Sequence, residues 1–151
     1  MGSFYGGTLT LHRPFTPASF DMGRASGANQ LWNFSNERLQ ICDIDGAGPR
    51  GANLTSFRAG NSCPLAAIVP HLIESWELVD STTLIYNLKQ GINYIDKAPA
   101  NGRELDAEDV AVALTRLQNV PRFLTGYWTF MDTIEAVDKY TVQFNFNFYS
   151  L

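Results

Sequence analysis

The clearest pattern in the chain is an alternation of apolar and polar positions in VPHLIESWELVDSTTLIYNLKQGI, which spans residues 69–92. A polar break, DSTT, divides this stretch into two halves that each repeat with a period of two. Such a pattern is typical of two antiparallel strands joined by a turn, so it predicts a β-hairpin. The apolar residues that share one face of each strand are Trp76 and Leu78, then Leu84, Tyr86 and Leu88.

A second alternation lies near the end of the chain, in TIEAVDKYTVQFNFNF. Its apolar positions are Val142, Phe144, Phe146 and Phe148. Polar residues fill the positions between them, which is typical of a half-buried antiparallel strand. Asp138 and Lys139 are expected to form the turn that pairs this strand with TIEAV.

The segment LDAEDVAVALTRLQ has helical periodicity. Asp106 is expected to cap the helix by accepting a hydrogen bond from the backbone N–H of Asp109. Glu108 and Asp109 would lie in the first turn, where the helix dipole favours negative charge. The predicted apolar stripe consists of Val110, Ala113, Leu114 and Leu117.

The first part of the chain has weaker signals. GGTLTLH predicts a short strand, and SGANQLWNFSNERLQICD predicts a helix capped by Ser26. Residues 46–64 are rich in Gly, Asn, Ser and Pro and predict a flexible loop. The resulting order of strand, helix, hairpin, helix and hairpin contains no βαβ repeat. We therefore expect residues 1–151 to form a single α+β domain with an antiparallel sheet.

Composition narrows the function classes. The chain has 151 residues, 45% of them hydrophobic, and a formal net charge of −4. The basic residues are scattered singly, which argues against nucleic acid as a partner. Neither an apolar run of the roughly 20 residues needed for a membrane span nor a signal peptide is evident.

Cys42 and Cys63 are the two cysteines of the sequence. They lack CxxC spacing, and no zinc-finger histidine interval accompanies them, so no metal site is expected. They are either two buried thiols or a disulfide that closes a loop of about 20 residues. The disulfide would require an oxidising compartment.

Candidate reactive groups are few, and we expect neither catalytic residues nor a cofactor. The acidic cluster of Glu104, Asp106, Glu108 and Asp109 could supply an acid/base pair, but helix capping is the favoured interpretation. His71 could act as a base, although a surface or packing role is favoured. Four aromatic residues could line a ligand cleft, with core packing again favoured; they are Phe123, Tyr127, Trp128 and Phe130.

Several motifs together resemble the extracellular solute-binding proteins of family 5, the peptide/nickel type. PHLIESW resembles the family's Pro-x-Leu-Ala-x-Ser-Trp segment, and YNLKQG resembles the strand end with Leu-Arg-x-Gly. DAEDV stands where the family has Thr-Ala-x-Asp-Val, and AVDKYTVQF is similar to its Val-Asp-x-Tyr-Thr-Val-x-Phe strand. The loop at residues 46–64 and the extra residues 97–100 depart from the family pattern.

The resemblance implies a function and an incomplete chain. Members resemble a two-lobed clamshell, of which this chain would supply the first strand and a small subdomain, with the remaining lobes absent. The full-length protein would be a periplasmic or extracellular lipoprotein that binds a peptide or small-molecule ligand and delivers it to the permease of an ABC transporter. By position, Ser26 and Ala28 are expected to bind the ligand. Trp76 and Tyr86 are expected to be core anchors.

Two other functions remain open. The chain could be an independent interaction module that uses the loop at residues 46–64 and a Phe-bearing edge strand at its end as a docking surface. It could also be a small hydrolase that uses His71 or the acidic cluster.

Overall fold

The computed structural model of the chain describes Thr8, Thr10 and residues 36–43, 67–120 and 129–147. Within these residues it contains antiparallel strands and one α-helix, which confirms the predicted α+β class. The elements in chain order are β1 (Gln40–Cys42), β2 (Ile68–Pro70), β3 (Ile73–Asp80), β4 (Thr83–Leu88), α1 (Ala107–Gln118), β5 (Met131–Ala136) and β6 (Thr141–Phe146).

The first predicted hairpin is confirmed. Strands β3 and β4 are antiparallel, with Trp76 opposite Tyr86 and Leu78 opposite Leu84. The Asp80 carboxylate accepts a hydrogen bond of 2.7 Å from the backbone N–H of Thr82, a local bond that favours the turn. This bond is also the main reason why the pKa of Asp80 is lowered.

The second predicted hairpin is also confirmed. Strands β5 and β6 are antiparallel, and the Asp138 carboxylate accepts a hydrogen bond of 2.8 Å from the backbone N–H of Tyr140 in the turn. Strand β5 begins at Met131, before the predicted TIEAV segment. Phe148 lies outside the described residues.

The four longer strands form one sheet with the order β3-β4-β6-β5. Strand β6 therefore lies inside the sheet, and its Phe144 is buried. The alternative of an interaction module would be favoured by an exposed Phe-bearing edge strand, and β6 is not one, because β4 and β5 pair with both of its edges.

Helix α1 begins after the predicted cap. Asp106 accepts a hydrogen bond from the backbone N–H of Asp109, and the Asp109 carboxylate accepts one from the N–H of Asp106, so the two form a capping box. The predicted stripe is partly wrong: Val110 is buried, but Ala113 is exposed and Ala111 is buried instead. The helix is thus rotated relative to the prediction, so that the small Ala111 faces the sheet.

The predicted helix over SGANQLWNFSNERLQICD is wrong at its end. There β1 pairs antiparallel with β2, placing Gln40 opposite Pro70 and Cys42 opposite Ile68. Pairing with a distant segment overrides the local helical pattern. The earlier part of this prediction and the loop at residues 46–64 lie outside the described residues, as does most of GGTLTLH, whose Thr8 and Thr10 belong to neither helix nor strand.

The core lies where α1 and the segment before it pack on one face of the sheet, and it includes residues from β3, β4, β5 and β6. Ile73, Leu88 and Val142 are its most deeply buried side chains. Tyr86 packs against this core and meets the Phe144 ring edge-on at 4.9 Å between centroids, so it is a core anchor as predicted. Trp76 is 38% exposed, and the same prediction is wrong for it, because α1 packs on β5 and β6, whereas β3 forms the far edge of the sheet.

Candidate functional site

The segment between β4 and α1 folds back on itself as a short antiparallel arm. The backbone N–H of Tyr94 donates to the carbonyl of Arg103 at 2.9 Å, and that of Leu105 donates to Ile92 at 2.8 Å. The extra residues 97–100 lie at the tip of this arm. Gly102 closes the tip with a φ of 71°, a backbone conformation that favours glycine.

Glu104 joins three separate parts of the structure. Its carboxylate accepts hydrogen bonds from the backbone N–H of Gly91 at 2.6 Å, from Lys139 Nζ at 2.6 Å and from the Tyr140 hydroxyl at 3.1 Å. The bond from Lys139 is the main reason why the pKa of Glu104 is lowered. A carboxylate held in its ionised form by three donors braces the arm against the β5–β6 turn and is a poor proton donor near neutral pH.

Arg103 makes a second brace, between the arm and the start of α1. Its guanidinium bonds both carboxylate oxygens of Asp109, with a distance of 2.6 Å from Nη1 to Oδ2, and it lies over the Tyr94 ring at 5.0 Å. The arginine is the main reason why the pKa of Asp109 is lowered. Burial, followed by the charge of Asp109, raises the pKa of Tyr94.

These contacts account for most of the acidic cluster without chemistry. Asp106 and Asp109 cap α1, which confirms the capping interpretation. The role of Glu104 could not be found from the sequence, because Gly91 and Lys139 are 13 and 35 positions away from it. Glu108 is exposed on the first turn of the helix.

His71 lies at the surface, where its Nε2 atom pairs with the Glu37 carboxylate. The two side chains are 38% and 70% exposed, which agrees with the surface interpretation. Among the residues that the structure describes, no three His, Cys, Asp or Glu side chains are grouped closely enough to hold a metal ion. The same part of the chain has no helix with the length and apolar character of a membrane span.

Cys42 is disulfide-bonded, so of the two alternatives for the cysteines, free thiols or a disulfide, the disulfide holds for this residue. The sequence offers one partner, Cys63, which lies outside the described residues. The hydroxyl of Tyr86 donates to Gln40 Oε1 at 3.1 Å and thereby ties β1 to the four-stranded sheet.

The two residues expected to bind ligand, Ser26 and Ala28, lie outside the described residues. So do Phe123, Tyr127 and Trp128 of the proposed aromatic cleft. The fourth aromatic, Phe130, is half-buried and packs against Phe146 with 5.6 Å between ring centroids.

Two open grooves run between α1 and the edge strand β5. The first has a volume of about 530 Å³. It is lined by Glu108, Ala111, Val112, Thr115, Ile134, Glu135 and Ala136. The second continues along the same edge, past Gln118 and Asp132. Neither encloses a space in which a small molecule would be largely buried, which is what a ligand pocket usually provides.

A separate apolar surface lies on β3, the edge strand farthest from β5. Trp76 and Leu78 share the helix-covered face of the sheet with Leu84, because they lie opposite Tyr86 and Leu84 in β4. Leu78 is nevertheless 51% exposed, since α1 does not reach β3. We call Trp76 and Leu78 the uncovered strip.

Comparison with known proteins shows which family the sequence matches. The family described as bacterial extracellular solute-binding proteins, family 5 middle region, matches residues 67–148, which is more than half of the chain. No relative was found among curated protein sequences.

Solved structures with partial similarity include three binding proteins. MoaA of Agrobacterium tumefaciens R10, in complex with mannopinic acid, is 24% identical over 54% of this chain and 16% of that chain, with a TM-score of 0.46. NikA of Brucella suis, in complex with Fe(III)-EDTA, is 26% identical over 53% of this chain and 16% of that chain, with a TM-score of 0.46. DppA of Helicobacter pylori, in complex with the peptide STSA, is 23% identical over 53% of this chain and 19% of that chain, with a TM-score of 0.44. The matched part of this chain thus corresponds to less than a fifth of each of these proteins.

Proposed function

The chain belongs to the bacterial extracellular solute-binding proteins of family 5, and on that premise we propose that it is part of the binding component of an ABC-type importer. The complete protein would capture a peptide or a similar small solute without covalent chemistry. It would then deliver the solute to a membrane permease. Selectivity would come from the shape of the cleft and from hydrogen bonds made as the protein closes.

The observation that carries this proposal is the family match over residues 67–148. The matched region contains both long hairpins, the capped helix and the braces made by Arg103 and Glu104. These features hold a framework together and leave open grooves. A rigid framework is what a clamshell protein needs on one side of a cleft that closes by domain movement.

We further propose that the chain is a supporting unit of a longer protein and that the uncovered strip docks against the rest of that polypeptide. Trp76 and Leu78 are apolar, adjacent and exposed on the core face of the sheet. Burying them would remove apolar surface from water, which stabilises a domain interface. The occupant we propose is another lobe of the same protein, since the solved binding proteins are more than five times as long as the matched segment.

Location follows from the same proposal. A family 5 protein works outside the cytoplasmic membrane, and we propose that a lipid anchor holds the complete protein there. The disulfide bond at Cys42 supports an extracellular or periplasmic site, because disulfides persist in oxidising compartments.

The proposal is tested by isothermal titration calorimetry with a pool of short peptides. We expect micromolar binding by the longer polypeptide encoded by the same gene, and at least 100-fold weaker binding by the 151-residue chain. Micromolar binding by the short chain would contradict the need for a second lobe. A longer protein that binds no peptide or other small solute would contradict the transport function.

A variant pair tests the ligand-binding residues. In the longer protein, Ser26→Trp should weaken ligand binding, because a bulky side chain would occupy space beside the solute. Ser81→Trp, in the exposed turn between β3 and β4, is the matched control and should leave affinity unchanged. Equal affinities for the two variants would show that Ser26 does not lie near the ligand.

A further inference from the structure

Strand β5 has one open edge. The backbone N–H of Val137 donates to the carbonyl of Thr141 at 2.9 Å, and Glu135 lies opposite Gln143 in the same register. Backbone groups of alternate residues in an antiparallel strand point to opposite sides. The N–H and C=O groups of Ile134 and Ala136 therefore point away from β6, and among the described residues no strand pairs with β5 on that side.

One end of this edge is already occupied. Residues 131 and 133 flank a register shift, and the side-chain amide of Gln118 donates to the carbonyls of Met131 at 2.7 Å and Asp132 at 3.2 Å. The straight part that stays available is residues 133–136. Four residues span about 13 Å, enough to pair with a short extended segment.

The groove of about 530 Å³ lies beside this edge. Its wall on the helix side includes Val112, which is 58% exposed although it is apolar. An extended segment lying along β5 would place every second side chain toward Val112 and Ala111 under the flank of the helix. The groove therefore favours apolar residues at alternate positions of its occupant.

The charged residues of the groove indicate which side chains the remaining alternate positions of the occupant would carry. Among the described residues, the two parts of the groove are lined by three carboxylates, Glu108, Asp132 and Glu135, and by no lysine or arginine. Within the available stretch, Glu135 points to the face of the sheet opposite the buried Ile134, so the basic side chains of an added strand would meet Glu135 there, away from the helix. An antiparallel second copy of β5 that is centred on the straight stretch would place Glu135 opposite Glu135, so repulsion between like charges disfavours self-pairing.

We propose that the groove between α1 and β5 binds an extended segment of a partner protein, in which apolar and basic residues alternate, as an additional strand of the sheet. Main-chain hydrogen bonds to Ile134 and Ala136 supply the attachment. Val112 and Glu135 supply the selectivity. This interaction uses neither the uncovered strip nor the ligand-binding residues of the proposed transport function.

The probe is an acetylated and amidated hexapeptide of alternating Lys and Val, titrated into the isotopically labelled full chain by NMR. We expect chemical-shift changes centred on Ile134 and Ala136 and at least tenfold slower amide exchange at those two positions. A hexapeptide of alternating Glu and Val should not bind. In the extended peptide the Val N–H groups point to one edge and the Lys N–H groups to the other, and only one edge faces β5. We therefore expect that N-methylation of one of these two sets of amides abolishes binding and that N-methylation of the other set leaves it intact.

Two variant pairs locate the site. Glu135→Gln should weaken binding roughly two- to fivefold, the effect of one exposed ion pair, while Glu77→Gln on β3 should not change it. Val112→Ser should also weaken binding, while Val79→Ser, an equally exposed valine on β3, should not. The proposal is overturned if the Glu-Val peptide binds as well as the Lys-Val peptide, or if both methylated peptides still bind. It is also overturned if the chemical-shift changes centre on Trp76, or if the chain pairs with itself through β5.

Discussion

Two leucines on the same face of the sheet should respond very differently to the same substitution. Leu88 is 2% exposed and belongs to the core beneath α1, whereas Leu78 is 51% exposed on the uncovered strip. Replacement by alanine removes the same three carbon atoms from each. The comparison therefore isolates the effect of burial in the core.

The magnitudes follow from burial. Three fully buried carbon atoms contribute about 2.4 kcal/mol through transfer from water, and the cavity left behind adds to this. We expect Leu88→Ala to cost about 3–4 kcal/mol. For Leu78→Ala the exposed fraction of 51% halves the transfer contribution and no closed cavity forms, so about 1 kcal/mol or less is expected.

Urea unfolding at pH 7, followed by far-UV circular dichroism, measures both free energies of unfolding. Equal slopes of free energy against urea for the wild type and both variants would show that the comparison concerns the folded state. A difference between the two variants of less than about 1 kcal/mol, or a larger cost for Leu78→Ala, would refute the claim that the core covers Leu88 and leaves Leu78 uncovered on the same face.

Three further outcomes are expected. The pKa values of Glu104 and Asp109 are lowered in the folded chain, so the unfolded chain binds protons first as pH falls. Their stabilisation is present above about pH 4.5, the unfolded value of Glu104, and is lost as pH falls through the folded pKa values. The urea midpoint should therefore drop as pH falls below about 4.5, and it should drop less steeply in Glu104→Gln. Asp106→Ala should cost about 1 kcal/mol in urea unfolding through loss of the helix cap, whereas Asp106→Asn should cost little; equal costs would contradict the capping role. Tyr86→Phe should cost about 1 kcal/mol in the same assay, because the part-buried bond to Gln40 is lost, and an unchanged midpoint would show that β1 is not held by that bond.

The sequence predicted those elements whose determinants are local. Period-two alternation on either side of a short polar turn was enough for both hairpins, because each strand pairs with its neighbour in the chain. The Asp106 cap could also be predicted, because the residue whose N–H it accepts, Asp109, is only three positions further along the chain. Strand β1 escaped prediction because its partner β2 lies 26 or more positions away, and no local signal at Gln40–Cys42 indicates that pairing.

Burial was harder to predict than secondary structure. Alternation places Trp76 and Leu78 on one face of β3, but it does not indicate which part of that face a helix covers. The same limit applies to α1, where Ala111 and Ala113 are both small and the packing of the helix on β5 and β6 decides which is buried. The three-way contact of Glu104 joins residues from separate elements and leaves no trace in the sequence near it.

The most direct test of the central claim is the accessibility of Trp76. Acrylamide quenching of its fluorescence can be measured in a Trp32→Phe, Trp128→Phe background, both in this chain and in the longer protein of which we propose it is a part. If the strip docks against another lobe, Trp76 should be quenched readily in the short chain and several-fold more weakly in the longer protein. Equal quenching in the two would contradict the proposal that this chain is a supporting unit completed by the rest of a solute-binding protein.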